Sequence, residues 1–301
     1  MGVLVAQVID FAFLDGVVYA LLAGGQVWSC SIKGNCETCC AEEDLTKHLL
    51  DLSNKVALVT GAGSGLGEGI AKGYSQVGAA VAVVDINLEA AERVVNDINE
   101  TGGQARGWPC DVTQADQVQA LVSHILKAFG RIDILVANVG IGDRSPAEEM
   151  ALEQWERVIE VNLRGAWLFN HEVGKHMIER GQGGRIINMA SIAGLVGVET
   201  GNANYAASKG GLIALTRCLA VEWAKYNILV NAIAPSHMRT ALIEKLIKVK
   251  PEIEAYFLNN IPLKRLGEVV DVVGPAIFLA SEASSFVTGH VLIVDGGHTA
   301  K

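Results

Sequence analysis

A tyrosine and a lysine spaced four residues apart could perform acid–base chemistry in the second half of the chain. Tyr205 and Lys209 fall in a segment of helical periodicity, so both side chains project from one face of the predicted helix. A neighbouring ammonium favours the phenolate and would lower the pKa of a tyrosine from its usual value of about 10. Ser191 follows a predicted strand, where its hydroxyl could hold a substrate oxygen. These residues predict a proton-transfer site, although a Tyr-x-x-x-Lys spacing alone is common on surface helices.

A glycine-rich segment near residue 60 is suited to bind a diphosphate. Glycines let the backbone turn tightly and approach a pyrophosphate, whose charge is then met by the N-terminus of a helix. The segment follows a predicted strand and opens into a helix, and this position predicts a dinucleotide site rather than an ordinary loop. Its residues are Thr60, Gly61, Ala62, Gly63, Ser64, Gly65, Leu66 and Gly67.

An acidic residue at the end of the second strand of this region indicates which dinucleotide binds. Asp85, followed by the apolar Ile86, is placed to accept hydrogen bonds from the adenosine ribose and would repel a 2′-phosphate. The sequence has no Lys or Arg in the glycine loop or just after Asp85 to neutralise such a phosphate. NAD is therefore predicted rather than NADP; the alternative is that Asp85 is a solvated residue or a turn former.

The elements that would position these residues alternate from residue 55 onward. Short apolar runs rich in Val and Ile alternate with longer helical segments, which predicts an α/β fold: a single doubly wound Rossmann domain with a seven-stranded parallel sheet. The predicted strands are 55–60, 80–85, 105–110, 132–138, 184–189, 228–233 and 290–294. The predicted helices are 66–77, 88–101, 115–129, 152–180, 204–226 and 269–280.

Turn and capping residues support the predicted helix ends. Asn87 and Thr113 are expected to be N-caps, because their side chains can accept a backbone N–H of the first turn. Gly78, Gly102 and Gly130 stand where helix C-termini need a left-handed residue.

Residues 1–50 are predicted to be an extension of unknown role, separate from a dinucleotide-binding domain over residues 51–301. Apolar runs at 3–13, 17–22 and 26–32 could form a small β-meander. The uncharged stretch 16–32 leaves a membrane anchor as an alternative, although a span needs about 20 apolar residues.

Four cysteines of this extension offer thiolates for zinc or an iron–sulfur cluster, but their spacing matches no paired Cys-x-x-Cys module, so no metal site is predicted. They are Cys30, Cys36, Cys39 and Cys40.

Composition excludes several classes of partner. The 33 acidic and 24 basic residues give a formal net charge of -9, which would repel nucleic acid and an anionic membrane surface. The isolated Cys110 and Cys218 are typical of small buried residues in a reduced, cytoplasmic protein. A cytoplasmic protein with a small-molecule partner is expected.

Taken in order, these motifs resemble the short-chain dehydrogenase/reductase family, and the resemblance covers residues 52–299. It implies that Tyr205 donates or accepts the substrate proton, that Ser191 positions the carbonyl or hydroxyl, and that Lys209 tunes Tyr205 and binds the nicotinamide ribose. Asn162 would hold a water that extends the proton relay. The motifs are the glycine loop, Asn138-Val139-Gly140, Asn162, Ser191, Tyr205, Lys209, Val287-Thr288-Gly289 and Val294-Asp295-Gly296-Gly297.

The resemblance also implies further cofactor contacts. Asp111 and Val112 would contact adenine, Asn138 and Gly140 would flank the nicotinamide side of the sheet, and Thr240 would bond the carboxamide.

The sequence departs from the family pattern at two places. Ser236 replaces the usual glycine after Pro235, which could reshape the loop beside the nicotinamide. The interval from Ser191 to Tyr205 is one residue longer than usual, with the excess expected in 199–204.

The implied activity is NAD-dependent hydride transfer between a secondary alcohol and a ketone. Segments 219–224 and 261–267 look most like gluconate 5-dehydrogenase-type and 3-oxoacyl-reductase-type members. A polyol, sugar acid or other small hydroxy compound is therefore expected, with 3-oxoacyl thioester reduction as the alternative. A catalytically inactive dinucleotide-binding regulatory protein is the alternative of another class, and the complete tetrad argues against it. Family members are commonly homodimers or homotetramers, so a homo-oligomer is expected.

Basic residues in the segments that would border the substrate could grip a carboxylate or hydroxyls, although surface charge is an equally good interpretation of each. They are Arg144, His237, Arg239 and Lys245.

Overall fold

A computed structural model describes residues 8–14, 17–22, 27–31, 49–197 and 201–301. The chain divides into two units, Met1–His48 and Leu49–Lys301. In the first unit, β1 (Val8–Leu14), β2 (Val17–Leu22) and β3 (Val27–Ser31) form an antiparallel sheet in that order, as the turn pattern predicts. Cys36, Cys39 and Cys40 lie outside the described residues. Within the described parts of the chain, no helix is long and apolar enough to cross a membrane.

The second unit contains the predicted seven-stranded parallel sheet, in the order β10-β9-β8-β7-β4-β5-β6. Its strands are β4 (Val56–Thr60), β5 (Ala80–Asp85), β6 (Gln104–Pro109), β7 (Ile134–Ala137), β8 (Gly184–Met189), β9 (Ile228–Pro235) and β10 (Val291–Val294). Its helices are α1 (Gly65–Gln76), α2 (Leu88–Glu100), α3 (Ala115–Phe129), α4 (Leu152–Ile159), α5 (Gly165–Arg180), α6 (Ala203–Trp223), α7 (Ala241–Val249), α8 (Glu252–Asn260) and α9 (Val269–Ala280).

Both faces of this sheet are buried, which explains the nearly continuous apolar strands. Along β4, Ala57 and Val59 pack with Ile70 of α1 on one face, whereas Leu58 packs with Phe169 of α5 on the other. Side chains alternate across a strand, so a strand covered by helices on both sides is apolar at every position. The sheet is therefore a rigid platform for the loops at its carboxyl edge.

The strand order reverses at β4, which pairs with β5 on one side and with β7 on the other. The chain leaves β4 and β7 toward opposite halves of the sheet, so a crevice opens outside their carboxyl ends. Open α/β sheets bind ligands at such a switch point. The glycine-rich loop follows β4 and Asn138 follows β7, so the fold brings both predicted segments to this crevice.

Most predicted helix ends are confirmed. The Asn87 side chain accepts the Ala90 N–H at 3.2 Å. Gly78, Gly102 and Gly130 have φ of 97°, 85° and 80°. The prediction for Thr113 is wrong: α3 has Gln114 as its N-cap, because the Thr113 hydroxyl donates instead to the Asp111 carboxylate at 2.8 Å.

The single helix predicted over 152–180 is interrupted by one π-helical turn, Glu160–Arg164, between α4 and α5. The turn contains Asn162, whose side chain binds a neighbouring loop. Insertions of this kind often occur at functional sites. The sequence pattern does not reveal the turn, since the apolar period continues through it.

Candidate active site

Loops from β4 and β7 are joined through one asparagine. The Asn138 side-chain amide donates to the carbonyls of Thr60 at 2.9 Å and of Gly61 at 3.2 Å, while its backbone N–H donates to Thr60 Oγ1 at 3.0 Å. The amide thus spans the switch point and holds the start of the glycine loop. Asn138, which is predicted to flank the nicotinamide, therefore also holds the glycine loop against the loop after β7.

The glycine loop has the geometry that a diphosphate site requires. Gly61 and Gly65 have φ of 63° and 58°, a region that side chains rarely tolerate. A Cβ on Gly67 would overlap the Gly61 carbonyl oxygen. Ser64 is the N-cap of α1 but makes no capping hydrogen bond through its side chain, and Leu66 lies in the first turn. The helix N-terminus therefore keeps its donors for an anion, and the residues present fit a dinucleotide.

The predicted ribose and adenine residues lie along the same edge. The carboxylate of Asp85 accepts the Gly63 N–H at 2.9 Å and the Asn87 N–H at 3.0 Å, and so sits against the glycine loop. Ile86 is 74% exposed. Asp111 and Val112 follow the neighbouring strand β6, and Val112 is buried. All four stand where the adenosine end of a dinucleotide could reach them, and their roles in binding stay predictions.

Ser191 and Tyr205 meet through their side chains. Ser191 begins a short 3-10 turn, where its Oγ accepts the Ala193 N–H at 3.2 Å. Tyr205 lies in the first turn of α6, close enough to Ser191 for the serine side chain to oppose the rise in the pKa of Tyr205. Residues 198–200, inside the interval that is longer than usual, lie outside the described residues. The influence of Ser191 on Tyr205 shows that the extra residue does not separate the pair.

Lys209 is buried beside this pair, with 3% of the residue exposed. Its Nζ donates to the Met189 carbonyl at 2.6 Å and lies 5.8 Å from the centroid of the Tyr205 ring. Burial lowers the pKa of Lys209 to about 8. An ammonium without a paired carboxylate is costly to bury, so this side chain can exchange a proton near neutral pH.

The expected lowering of the Tyr205 pKa by Lys209 is wrong for this structure. Burial raises the pKa of Tyr205, and the opposing influences are the hydrogen bond with Ser191 and the charge of Arg144. Lys209 directs its Nζ to Met189, and desolvation of the phenolate dominates. The four-residue spacing correctly placed Tyr205 and Lys209 on one helix, but it could not reveal how deeply the two side chains are buried.

Asn162 connects the π-helical turn to the catalytic helix. It is completely buried; its side chain accepts the Ile141 N–H at 2.8 Å and donates to the Ile141 carbonyl at 2.9 Å and to Ser208 Oγ at 3.1 Å. The Ser208 hydroxyl in turn donates to the Tyr205 carbonyl at 2.7 Å. Sequence reasoning missed Ser208, whose only signal is its place between Tyr205 and Lys209.

Gly140 allows the β7 loop to approach the lysine. A Cβ at this position would lie 3.1 Å from Lys209 Nζ and 3.6 Å from Asn162 Oδ1. The predicted residue is therefore packed directly against two members of the tetrad. Any side chain here would press on them.

The loop after β9 closes the far side of the crevice. Thr240 is the N-cap of α7, and its Cγ2 lies 3.7 Å from the position of a Cβ on Gly65, so it faces the glycine loop. Ser236 follows Pro235, and its N–H donates to the Val294 carbonyl at 3.0 Å. Ser236 has no left-handed backbone conformation, so this position does not require the usual glycine.

Two of the four candidate basic residues lie near Tyr205. The charge of Arg144 acts on both Tyr205 and His237, and Arg144 makes no hydrogen bond or ion pair with the described part of the chain. Burial lowers the pKa of His237 to about 4, and its ring stacks on Phe257 of α8 with 3.8 Å between centroids. Arg239 is paired with Glu254. Arg144 is thus a cation near Tyr205 that has no partner among the described residues, and the His237 ring is uncharged at neutral pH.

The fold and the site define a dinucleotide-dependent oxidoreductase. A family model described as Enoyl-(Acyl carrier protein) reductase matches residues 61–299. The chain belongs to the short-chain dehydrogenase/reductase family, as its motifs predict, and the enzyme class, an oxidoreductase acting on CH–OH groups, follows from this membership.

The similarity to known relatives covers nearly the whole length of each relative. D-threitol dehydrogenase of Mycolicibacterium smegmatis is 41% identical over 83% of this chain and 95% of its own length. For 5-keto-D-gluconate 5-reductase of Escherichia coli the values are 39%, 83% and 97%. A crystal structure of gluconate 5-dehydrogenase from Burkholderia cenocepacia, in complex with NADP and tartrate, is similar with a TM-score of 0.81 at 35% identity, covering 85% of this chain and 99% of that one.

Proposed function

We propose that this protein is an NAD-dependent dehydrogenase that oxidises a secondary alcohol to a ketone, or reduces the ketone. The observation that carries the proposal is the convergence of Ser191, Tyr205 and Lys209 at the carboxyl edge of the sheet, beside a glycine loop open to a diphosphate. Bound NAD would accept the hydride. The residues of the chain would bind the alcohol and move its proton.

The proposed proton path begins at the substrate hydroxyl. Ser191 Oγ and the neighbouring Tyr205 hydroxyl would both contact the substrate oxygen, and Tyr205 would take the proton. Because burial raises the pKa of Tyr205, the phenolate needs nearby positive charge, which the guanidinium of Arg144 can supply. Lys209, with a pKa of about 8, can pass the proton onward.

Asn162 is proposed to act in this path by positioning. Its side-chain amide is bound to Ile141 and Ser208, which links the β7 loop to the helix that carries Tyr205 and Lys209. A water held at Asn162 as the next member of the relay stays a prediction.

We propose NAD rather than NADP because of Asp85. Its carboxylate lies on the glycine loop, where a 2′-phosphate would meet a like charge. The Burkholderia relative binds NADP, so the choice is specific to each chain and has to be measured. Initial rates with both cofactors test it, and a clear preference for NADP would refute it.

The proposed substrate class is a small polyol or sugar acid. Relatives are named for threitol and for 5-keto-D-gluconate, and the Burkholderia structure holds tartrate, a hydroxy dicarboxylate. Arg144 favours the acid, because its guanidinium acts on Tyr205, has no partner in the described parts of the chain and could pair with a substrate carboxylate. Reduction of a 3-oxoacyl thioester is the second candidate, because a relative from Thermotoga maritima that is 39% identical over 82% of this chain is named 3-oxoacyl-[acyl-carrier-protein] reductase.

A substrate panel read by NADH absorbance tests the proposal. Secondary alcohols, polyols and sugar acids are offered with NAD, and 3-oxoacyl thioesters with NADH. Turnover of sugar acids or polyols supports the proposal; turnover of thioesters alone supports the second candidate. Cofactor binding without turnover of any compound would favour the non-enzymatic regulatory protein.

Two further predictions from the sequence accompany this proposal: a homodimeric or homotetrameric assembly and a cytoplasmic location. Light scattering of the purified protein measures the first, and fractionation of cells that produce it measures the second. A monomer would contradict the expected assembly.

A further inference from the structure

Four charged side chains form an ion-pair cluster on the outer side of the glycine loop: Glu68 and Lys72 from α1, and Arg93 and Asp97 from α2. Arg93 Nη2 lies 2.6 Å from Glu68 Oε2, and Arg93 Nη1 lies 3.4 Å from Asp97 Oδ2. Lys72 Nζ lies 2.7 Å from Glu68 and 2.8 Å from Asp97. The proposed proton transfer does not use this cluster.

The cluster is attached to the predicted ribose site through one glycine. Arg93 Nη2 donates to the Gly63 carbonyl at 3.0 Å, and the Gly63 N–H donates to Asp85 Oδ2 at 2.9 Å. The backbone of a single residue therefore separates the guanidinium from the carboxylate that would meet the adenosine ribose.

Arg93 is already engaged at both of its terminal nitrogens. Nη1 donates to Glu68 Oε1 at 2.9 Å, and Nη2 donates to Glu68 Oε2 as well as to Gly63. The hydrogen bond from Arg93 is the main cause that lowers the pKa of Glu68, so the carboxylate stays ionised at neutral pH. Two positive and two negative charges cancel within the cluster, and Asp85 is left as the net charge at the ribose site.

We propose that Glu68 is a specificity-determining residue: by holding Arg93, it keeps a guanidinium next to the ribose site from binding a 2′-phosphate. The inference rests on the proposed dinucleotide site and deepens it. Asp85 repels a 2′-phosphate, and Glu68 keeps Arg93 from pairing with that phosphate. When Glu68 loses its charge, Arg93 keeps only its longer ion pair with Asp97, at 3.4 Å, and its guanidinium can turn to pair with a phosphate.

The test measures dissociation constants of NAD⁺ and NADP⁺ for the full chain by isothermal titration calorimetry, without substrate. Glu68→Gln should lower the ratio Kd(NADP⁺)/Kd(NAD⁺) by about tenfold, the effect expected of one charge-assisted contact at a partly exposed site. Glu68→Ala repeats the test if the first variant folds poorly. Glu282→Gln, which removes the charge of a carboxylate paired with Arg185 on another part of the surface, should leave the ratio unchanged.

Two double variants, each with the net charge of the original cluster, separate Arg93 from the general electrostatic field. Glu68→Gln with Arg93→Met should return the ratio to that of the unmodified protein, whereas Glu68→Gln with Lys72→Met should keep the gain. An unchanged ratio in the single variants, or equal loss of the gain in both double variants, overturns the proposal. The unmodified protein tests the cofactor assignment separately: a preference for NADP⁺ there refutes NAD, while the shift caused by Glu68→Gln still tests Glu68.

Discussion

The ammonium of Lys209 donates a 2.6 Å hydrogen bond to the carbonyl of Met189, the last residue of β8. This bond ties α6, which carries Tyr205, to the strand that leads into Ser191. Because both side chains depend on this strand, the sheet sets the distance between the proposed proton donor and the proposed substrate anchor.

Replacing Tyr205 by Phe removes the proton-transferring oxygen and little else. Turnover should fall by roughly 10²–10⁴-fold, the usual contribution of general acid–base catalysis, while the Kd for NAD stays within about threefold. Stopped assays and titration calorimetry measure the two quantities. Tyr226→Phe, at a partly exposed tyrosine beyond α6, is the matched control and should keep full activity. Unchanged turnover in Tyr205→Phe would refute the proposed mechanism.

Gly140→Ala should lower kcat about tenfold, because the new Cβ would stand 3.1 Å from Lys209 Nζ and displace it. Gly142→Ala is the control, since a Cβ there meets nothing within 4 Å among the described residues. Both variants should bind NAD and unfold at similar temperatures. Equal kcat values for the two alanine variants would contradict the assigned packing.

Lys209→Met should change the pH dependence of stability. Since burial lowers the pKa of Lys209 from 10.5 to about 8, the unfolded chain binds more protons between these values, and stability rises with pH in this window. At pH 7 the variant should be more stable by about 1–2 kcal/mol, after subtracting the lost hydrogen bond to Met189. This advantage should shrink as pH approaches 10. Urea unfolding at pH 7, 8, 9 and 10 measures it; a constant difference would contradict the buried ammonium.

Arg144→Gln should discriminate against acidic substrates. We expect kcat/KM for a sugar acid to fall at least about tenfold relative to kcat/KM for a neutral polyol, because one charge-assisted pair is lost. Lys248→Gln makes the same charge change at an exposed position of α7 and should leave the ratio unchanged. If the ratio does not change in Arg144→Gln, this guanidinium does not recognise a carboxylate.

Much of the framework could be predicted because its signals are local. The alternation of apolar runs and helical periods predicted all seven strands of the parallel sheet, and Asn87, Gly78, Gly102 and Gly130 marked helix ends through their own backbone and capping preferences. Thr113 failed as a cap because its hydroxyl had a competing acceptor in Asp111. Competition between two local hydrogen bonds is not decided by residue type.

Several features of the site depend on contacts between distant segments. The π-helical turn at Asn162 depends on Ile141, 21 residues earlier, and Arg93 reaches Gly63 over 30 residues. No local pattern reports such pairs. The free state of Arg144 beside Tyr205, and the pairing of Arg239 with Glu254, could not be distinguished from sequence for the same reason.

The sequence by itself determined which residues could do the chemistry: Ser191, Tyr205 and Lys209 at their spacing, the glycine loop, and Asp85 at a strand end. Only the tertiary structure decided their electrostatic state. Burial raised the pKa of Tyr205 and lowered that of Lys209, and Glu68 occupied Arg93. The physical reason is that residue type and spacing specify periodicity and reach, whereas desolvation and ion pairing depend on which atoms the fold brings within a few ångströms.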